Sequence, residues 1–118
     1  MQKPGQIYPK RGEIYIANLE PPFGREMRKK RPTLIVSNNI LNQTLPTVIA
    51  IPFSSITPEF IGPDTVRFLK QKGLEKDSAL IINQIRVIDK DRLIKKVGKI
   101  SKIKMSEVCD AIKIVLEL

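Results

Sequence analysis

The hydrophobic pattern of this chain changes period once, at Ser101. Before that point the apolar residues come in short runs, each broken by Pro, Gly or a charge. After it, Met105, Val108, Cys109, Ile112, Val115 and Leu116 recur at three- and four-residue spacing. The first pattern is that of short strands; the second predicts an amphipathic helix with Ser101 as its N-cap. Such a helix must bury one face, and the sheet is the surface on offer. The expected fold is therefore mainly β: a small barrel or curled sheet of six or so strands with a C-terminal helix. At 118 residues and 42% hydrophobic, the chain suits one domain with a real core.

The strands can be placed from their punctuation. Residues 13–19 read as a first strand, ended by Glu20-Pro21-Pro22-Phe23-Gly24. A second follows at 32–37, and Asn38 to Asn42 carry cap and turn chemistry for one short helical turn. Thr47–Phe53 is a continuous apolar run, so it predicts a buried third strand covered on both faces. A long loop with Pro58, Gly62 and Pro63 then leads to an alternating strand at Thr65–Leu69. Ser78–Gln84 reads as a further strand running on toward Ile88; Asp89–Arg92 is a capped turn, and Ile94–Ile100 a last strand. Residues 1–10, with Pro4, Gly5 and Pro9, read as a flexible lead-in to a single domain over 11–118.

Between the first two strands lies the loop Gly24-Arg25-Glu26-Met27-Arg28-Lys29-Lys30-Arg31-Pro32, with five cations against one carboxylate. Like charges so close repel, so an anionic partner is expected, and phosphate suits the paired donors of arginine. The net charge of +9 agrees with a polyanion partner; a basic protein with a merely solvated cationic face is the other reading. Aromatic residues make up 5% and Trp is absent, which argues against a surface built mainly on base stacking. There is no histidine, which removes Ser-His-Asp and Cys-His catalysis, the two-histidine ribonuclease mechanism and ordinary zinc sites. The single cysteine, Cys109, permits no internal disulfide and fits a reducing compartment; like Met105 it reads best as core packing. No apolar run has the length of a membrane span and the N-terminus shows no apolar signal region, so a cytoplasmic protein is expected.

Several segments, in order, resemble the MazF/PemK toxins. They are Arg11-Gly12-Glu13-Ile14-Tyr15, Leu19-Glu20-Pro21, Gly24-x-Glu26, Arg31-Pro32-Thr33-Leu34-Ile35-Val36-Ser37-Asn38, Val48-Ile49-Ala50-Ile51-Pro52-Phe53-Ser54 and Gln84-Ile85-Arg86-Val87-Ile88-Asp89. The likeness spans residue 11 to the C-terminus. It implies an SH3-like barrel with a C-terminal helix, assembled as a homodimer. It implies a sequence-specific, metal-independent endoribonuclease with no cofactor, cutting single-stranded RNA or mRNA to leave 2′,3′-cyclic phosphate and 5′-hydroxyl ends. It also implies a toxin–antitoxin pair in which an acidic, MazE/PemI-like antitoxin lies across the RNA groove.

Carried over by position, the motif arginine is Arg31, the hydroxyl after the third strand is Ser54, and the Gly-x-Glu glutamate is Glu26. Arg31 has the donors to hold a crowded phosphate, and Ser54 can add one more. An arginine is a poor general base because its pKa stays above about 12. Glu26 can accept the 2′-hydroxyl proton or anchor an arginine, and nearby cations favour anchoring. Arg25, Arg28, Lys29 and Lys30 are candidate RNA-backbone contacts, and Gln84 and Arg86, late on a strand, candidate groove residues. Each has a plainer alternative: an ion pair of Arg31 with Glu20 or Glu26, a loop-capping role for Ser54, solvent-facing polarity for the rest. Phe23 and Phe53 can stack a base, although Phe53 suits the core better. The loop departs from the family pattern at Arg25, Met27 and Arg28-Lys29-Lys30, so its base preference does not transfer. Two other functions stay open: a CcdB-type toxin binding DNA gyrase without catalysis, and a catalytically silent RNA- or DNA-binding module.

Overall fold

The computed structural model describes residues 7–20, 24, 26–27, 29–56 and 62–118. Seven strands form one antiparallel sheet: β1 (Glu13–Asn18), β2 (Lys30–Ile35), β3 (Thr47–Ser54), β4 (Thr65–Phe68), β5 (Ser78–Ile81), β6 (Arg86–Asp89) and β7 (Leu93–Lys99). The spatial order is β4-β5-β3-β2-β1-β7, with β6 also on β3. Among the described residues the α-helices are α1 (Asn39–Thr44) and α2 (Lys102–Leu116). The expected N-cap is in place: Ser101 Oγ accepts from the Lys104 N–H. So is the capped turn at Asp89, whose carboxylate accepts from the Asp91 N–H. The first six residues, Phe23, Arg25, Arg28 and Pro58, for which the sequence carries expectations, lie outside the described residues.

Strand β3 is the hub. One edge pairs with β2; the other pairs with β6 over Thr47–Ala50 and with β5 at Phe53 and Ser54. Alternation along β2 and β3 sends side chains to two clusters. Leu34, Ile51 and Phe53 join Ile14, Phe68, Leu80 and Val108 in the larger; Ile35, Val48 and Ala50 join Ala17, Leu19 and Ile88 in the smaller. The expected cover on both faces therefore holds from Ala50 to Phe53, but Ile49 is 38% exposed. Helix α2 closes the larger cluster with Val108 and Ala111, flanked by Met105, Ile112 and Val115. Leu116 is exposed instead, and Cys109 is half-buried, its Sγ accepting from Arg11 Nη2 at 2.9 Å.

One expectation fails in an instructive way. Ser78–Ile88 is not a continuous strand, because Ile82–Gln84 forms a single 3₁₀ turn between β5 and β6. Leu80 faces Phe53 while Arg86 faces Ala50, so five intervening residues on one side lie against two on the other. The surplus is taken up in the turn, where the Ile85 N–H bonds to the Ile82 carbonyl. Gln84 therefore sits in a turn and Arg86 opens a strand; neither lies late on one.

Candidate active site

Strand β2 begins at Lys30, so Arg31 leaves the basic loop on a fixed strand paired with Ala17. Its Nη1 donates to the Phe53 carbonyl at 3.3 Å. Phe53 is next to Ser54 in the chain, so this bond brings the guanidinium to the end of β3 that carries the hydroxyl. Arg31 and Ser54 line the same groove, about 820 Å³ in volume, together with Lys29, Lys30, Lys70, Lys76 and Lys95. Burial lowers the Arg31 pKa from its ordinary value, and the nearby positive Arg86 lowers it further. An arginine so placed remains charged near neutrality, and the charge of an entering anion offsets both effects.

Ser54 makes a local turn as well. Its Oγ donates to the Ile56 carbonyl and accepts from the Ile56 N–H, both at 3.1 Å. The hydroxyl proton must leave the Ile56 carbonyl before it can bond a phosphoryl oxygen. The ring of Phe53 belongs to the core, edge-on to Phe68 with centroids 5.1 Å apart.

Glu26 lies elsewhere. It borders a smaller pocket of about 150 Å³ with Leu19, Arg86, Val87, Ile88 and Arg92, and pairs with Arg86 at 4.0 Å. Gln84 and Arg86 are engaged with the basic loop. Gln84 Oε1 accepts from the Met27 N–H at 3.1 Å and from Arg86 Nη2 at 2.9 Å, and Arg86 Nη1 donates to the Met27 carbonyl at 3.3 Å. The loop is also pinned lower down. The Lys29 N–H donates to Glu20 Oε1 at 3.1 Å, and Arg92 Nη1 donates to the Asn18 and Glu20 carbonyls. Lys29 adopts a φ of 73°, a left-handed conformation uncommon outside glycine. The structure thus brings Arg31, Ser54, Lys29 and Lys30 together on one groove; Glu26 and Arg86 line the smaller pocket, Gln84 and Arg86 hold the loop at Met27, and the Arg86 charge still reaches Arg31.

The sequence reading missed Lys70, Lys76 and Lys95 as groove residues. The signal was present in Lys70-Gln71-Lys72-Gly73-Leu74-Glu75-Lys76, a glycine turn flanked by cations, but its contact with the Arg31 groove is long-range.

Residues 10–116 match the model of a family described as PemK-like, MazF-like toxin of type II toxin–antitoxin system. The chain belongs to this family. Among its relatives is endoribonuclease EndoA of Bacillus subtilis, 36% identical over 110 residues, which cover 92% of this chain and 95% of that protein. Another is endoribonuclease MazF of Staphylococcus saprophyticus, 39% identical over 110 residues, with 92% of each covered. Among solved structures, MazF of Deinococcus radiodurans superposes with a TM-score of 0.84 at 20% identity, covering 96% of this chain and all of that one, which supports the fold. A mycobacterial endoribonuclease in complex with its cognate antitoxin aligns with a TM-score of 0.77 at 25% identity, over 93% of this chain and 96% of that one.

Proposed function

We propose that this MazF-like chain is an endoribonuclease toxin that cleaves single-stranded RNA by attack of the substrate's own 2′-hydroxyl. The observation that carries the reading is the Arg31–Phe53 bond, which holds a guanidinium beside Ser54 in one cationic groove. The new bond joins the 2′-oxygen to phosphorus, and the bond from phosphorus to the 5′-oxygen breaks. The 2′-proton goes to a base and the departing 5′-oxygen gains a proton, which leaves a 2′,3′-cyclic phosphate and a 5′-hydroxyl. Charge builds on the phosphoryl oxygens on the way, and donors fixed before the reaction stabilise it most. Arg31 supplies up to two such donors and Ser54 one. Glu26 serves as the anchor of Arg86, since it borders a different pocket from Arg31 and Ser54.

The family description and the antitoxin-bound mycobacterial structure support an antitoxin as the natural inhibitor. The groove charge gives its chemistry: an acidic segment would compete with RNA for the same cations, with strong salt dependence. The family resemblance extends the reading to a homodimer, to be checked by sedimentation. The test of the reaction is the chemistry of the ends. Purified protein is incubated with mixed-sequence single-stranded RNA in EDTA, and fragments are assayed for cyclic phosphate and free 5′-hydroxyl. Both ends at discrete sites support the proposal; 5′-phosphate ends, or cutting that EDTA abolishes, would refute it.

A further inference from the structure

The groove that holds Arg31 and Ser54 continues past them. Its far wall is the turn joining β4 to β5, which contributes Lys70 and Lys76, and β7 adds Lys95 from the side. These three lysines make no ion pair among the described residues, and Glu75 is the one carboxylate among the groove's lining residues.

The wall is built to stay in place. Gln71 and Leu74 exchange backbone bonds of 3.2 and 2.8 Å, and the Lys70 N–H donates to Asp77 Oδ1 at 2.8 Å. Gln71 Nε2 ties the turn to the Lys99 carbonyl of β7 at 3.1 Å. The backbones touch at Gly98, where an added Cβ would stand 2.3 Å from the Lys72 carbonyl oxygen. Register then aligns this wall with the catalytic end of β3. Ser54 faces Ala79 and Phe68 faces Ser78, so the strand ends that carry Lys70 and Lys76 project beyond Ser54. Lys76 is three residues from Ala79, at most about 11 Å along an extended chain.

We infer that Lys70 and Lys76, with Lys95, form a second phosphate subsite that holds the backbone of single-stranded RNA outside the bond that is cut. The inference rests on the RNA-cleaving reading and deepens it. Unpaired ammonium groups act on phosphate as point charges without regard to the base, so the subsite supplies affinity and direction, and leaves sequence choice to other contacts. An acidic peptide would be drawn to the same lysines, and the experiment separates the two.

The test uses the Lys70→Ala/Lys76→Ala double variant and a labelled mixed-sequence 2′-O-methyl RNA of about 20 nucleotides, in which the attacking hydroxyl is blocked. Binding is followed by fluorescence anisotropy between about 50 and 200 mM salt, where each lost single-strand phosphate contact lowers the slope of log K on log salt by about 0.7. The double variant is expected to lose about 1.4 from that slope, to raise KM several-fold on cleavable RNA, and to keep kcat at saturation. A slope and KM equal to those of the unmodified protein would overturn the subsite, as would an unchanged slope with weakened binding of polyglutamate. Failure of the unmodified protein itself to bind or cut RNA would instead overturn the reading on which the subsite rests.

Discussion

The Met27 N–H donates to Gln84 Oε1 at 3.1 Å, a bond that spans 57 residues and ties the basic loop to the turn before β6. Arg86 completes the clamp from the other side by donating to the Met27 carbonyl and to the same Gln84 oxygen. Arg31 enters the groove four residues further on, and the clamp is expected to help position its guanidinium. Replacing Gln84 with Ala leaves the Met27 N–H and one Arg86 donor without this acceptor, a loss of about 1 kcal/mol in a urea titration. The Gln84→Ala protein should cleave RNA more slowly at saturation. Gln84→Glu, which keeps the acceptor oxygen, should recover most of the rate. Equal rates for Gln84→Ala and the unmodified protein would show that the clamp does not position the site.

Ser54 gives a prediction of a different kind, because its hydroxyl serves a turn now and a phosphate in the proposed reaction. Ser54→Ala should lower the single-turnover cleavage rate by roughly 10²–10³, as loss of one well-aimed donor does elsewhere. Its thermal stability should change little, since the turn is exposed. Ser54→Thr retains the hydroxyl and should retain most of the rate. A Ser54→Ala protein with full activity would reduce the residue to its loop-capping role.

The close approach of β7 to the Lys70–Lys76 turn predicts a cost at Gly98. A Cβ there meets backbone, which cannot swing aside as a side-chain tip can. Gly98→Ala should destabilise the fold by about 1–3 kcal/mol, the usual range for overpacking, seen as a lower urea midpoint. An unchanged midpoint would mean that the turn is not docked on β7.

Stability should also depend on alkaline pH through Tyr15. Burial raises its phenol pKa above the ordinary 10.0, and the neighbouring Glu13 charge and hydrogen bond add to the rise. The folded state then holds the proton more tightly than the unfolded state. The contribution is complete below about pH 10 and is lost as pH climbs through the folded value. Thermal melts should show a decline setting in near pH 10 that is weaker in Tyr15→Phe. An identical alkaline decline in that variant would remove Tyr15 as its source.

Much of this was legible in the chain because local rules agreed with the fold. The helix after Ser101 has both its cap and its period in the sequence, and the buried centre of β3 shows as an unbroken apolar run. The 3₁₀ turn at Ile82–Gln84 was not legible. Ile82 is buried like a strand residue, no Gly or Pro marks the break, and the surplus residues appear only against β3. Arg31 and Ser54 could be carried over because each sits in a recognisable segment. The Met27–Gln84 clamp and the Lys70–Lys76 wall could not, since each depends on which distant strands lie side by side. Gln84 and Arg86 show the consequence: their polarity marked them as groove candidates, and only the fold shows that both bond the basic loop at Met27.

The most direct test of the central claim compares the unmodified protein with Arg31→Ala on one mixed-sequence single-stranded RNA in EDTA, with the 5′ ends mapped and initial rates measured. The arrangement of Arg31 beside Ser54 predicts discrete cuts, slowed by roughly 10²–10³ or more in the variant, and only partly restored by Arg31→Lys, which keeps the charge but not the paired donors. Cuts at the same positions and the same rate in Arg31→Ala would contradict the account.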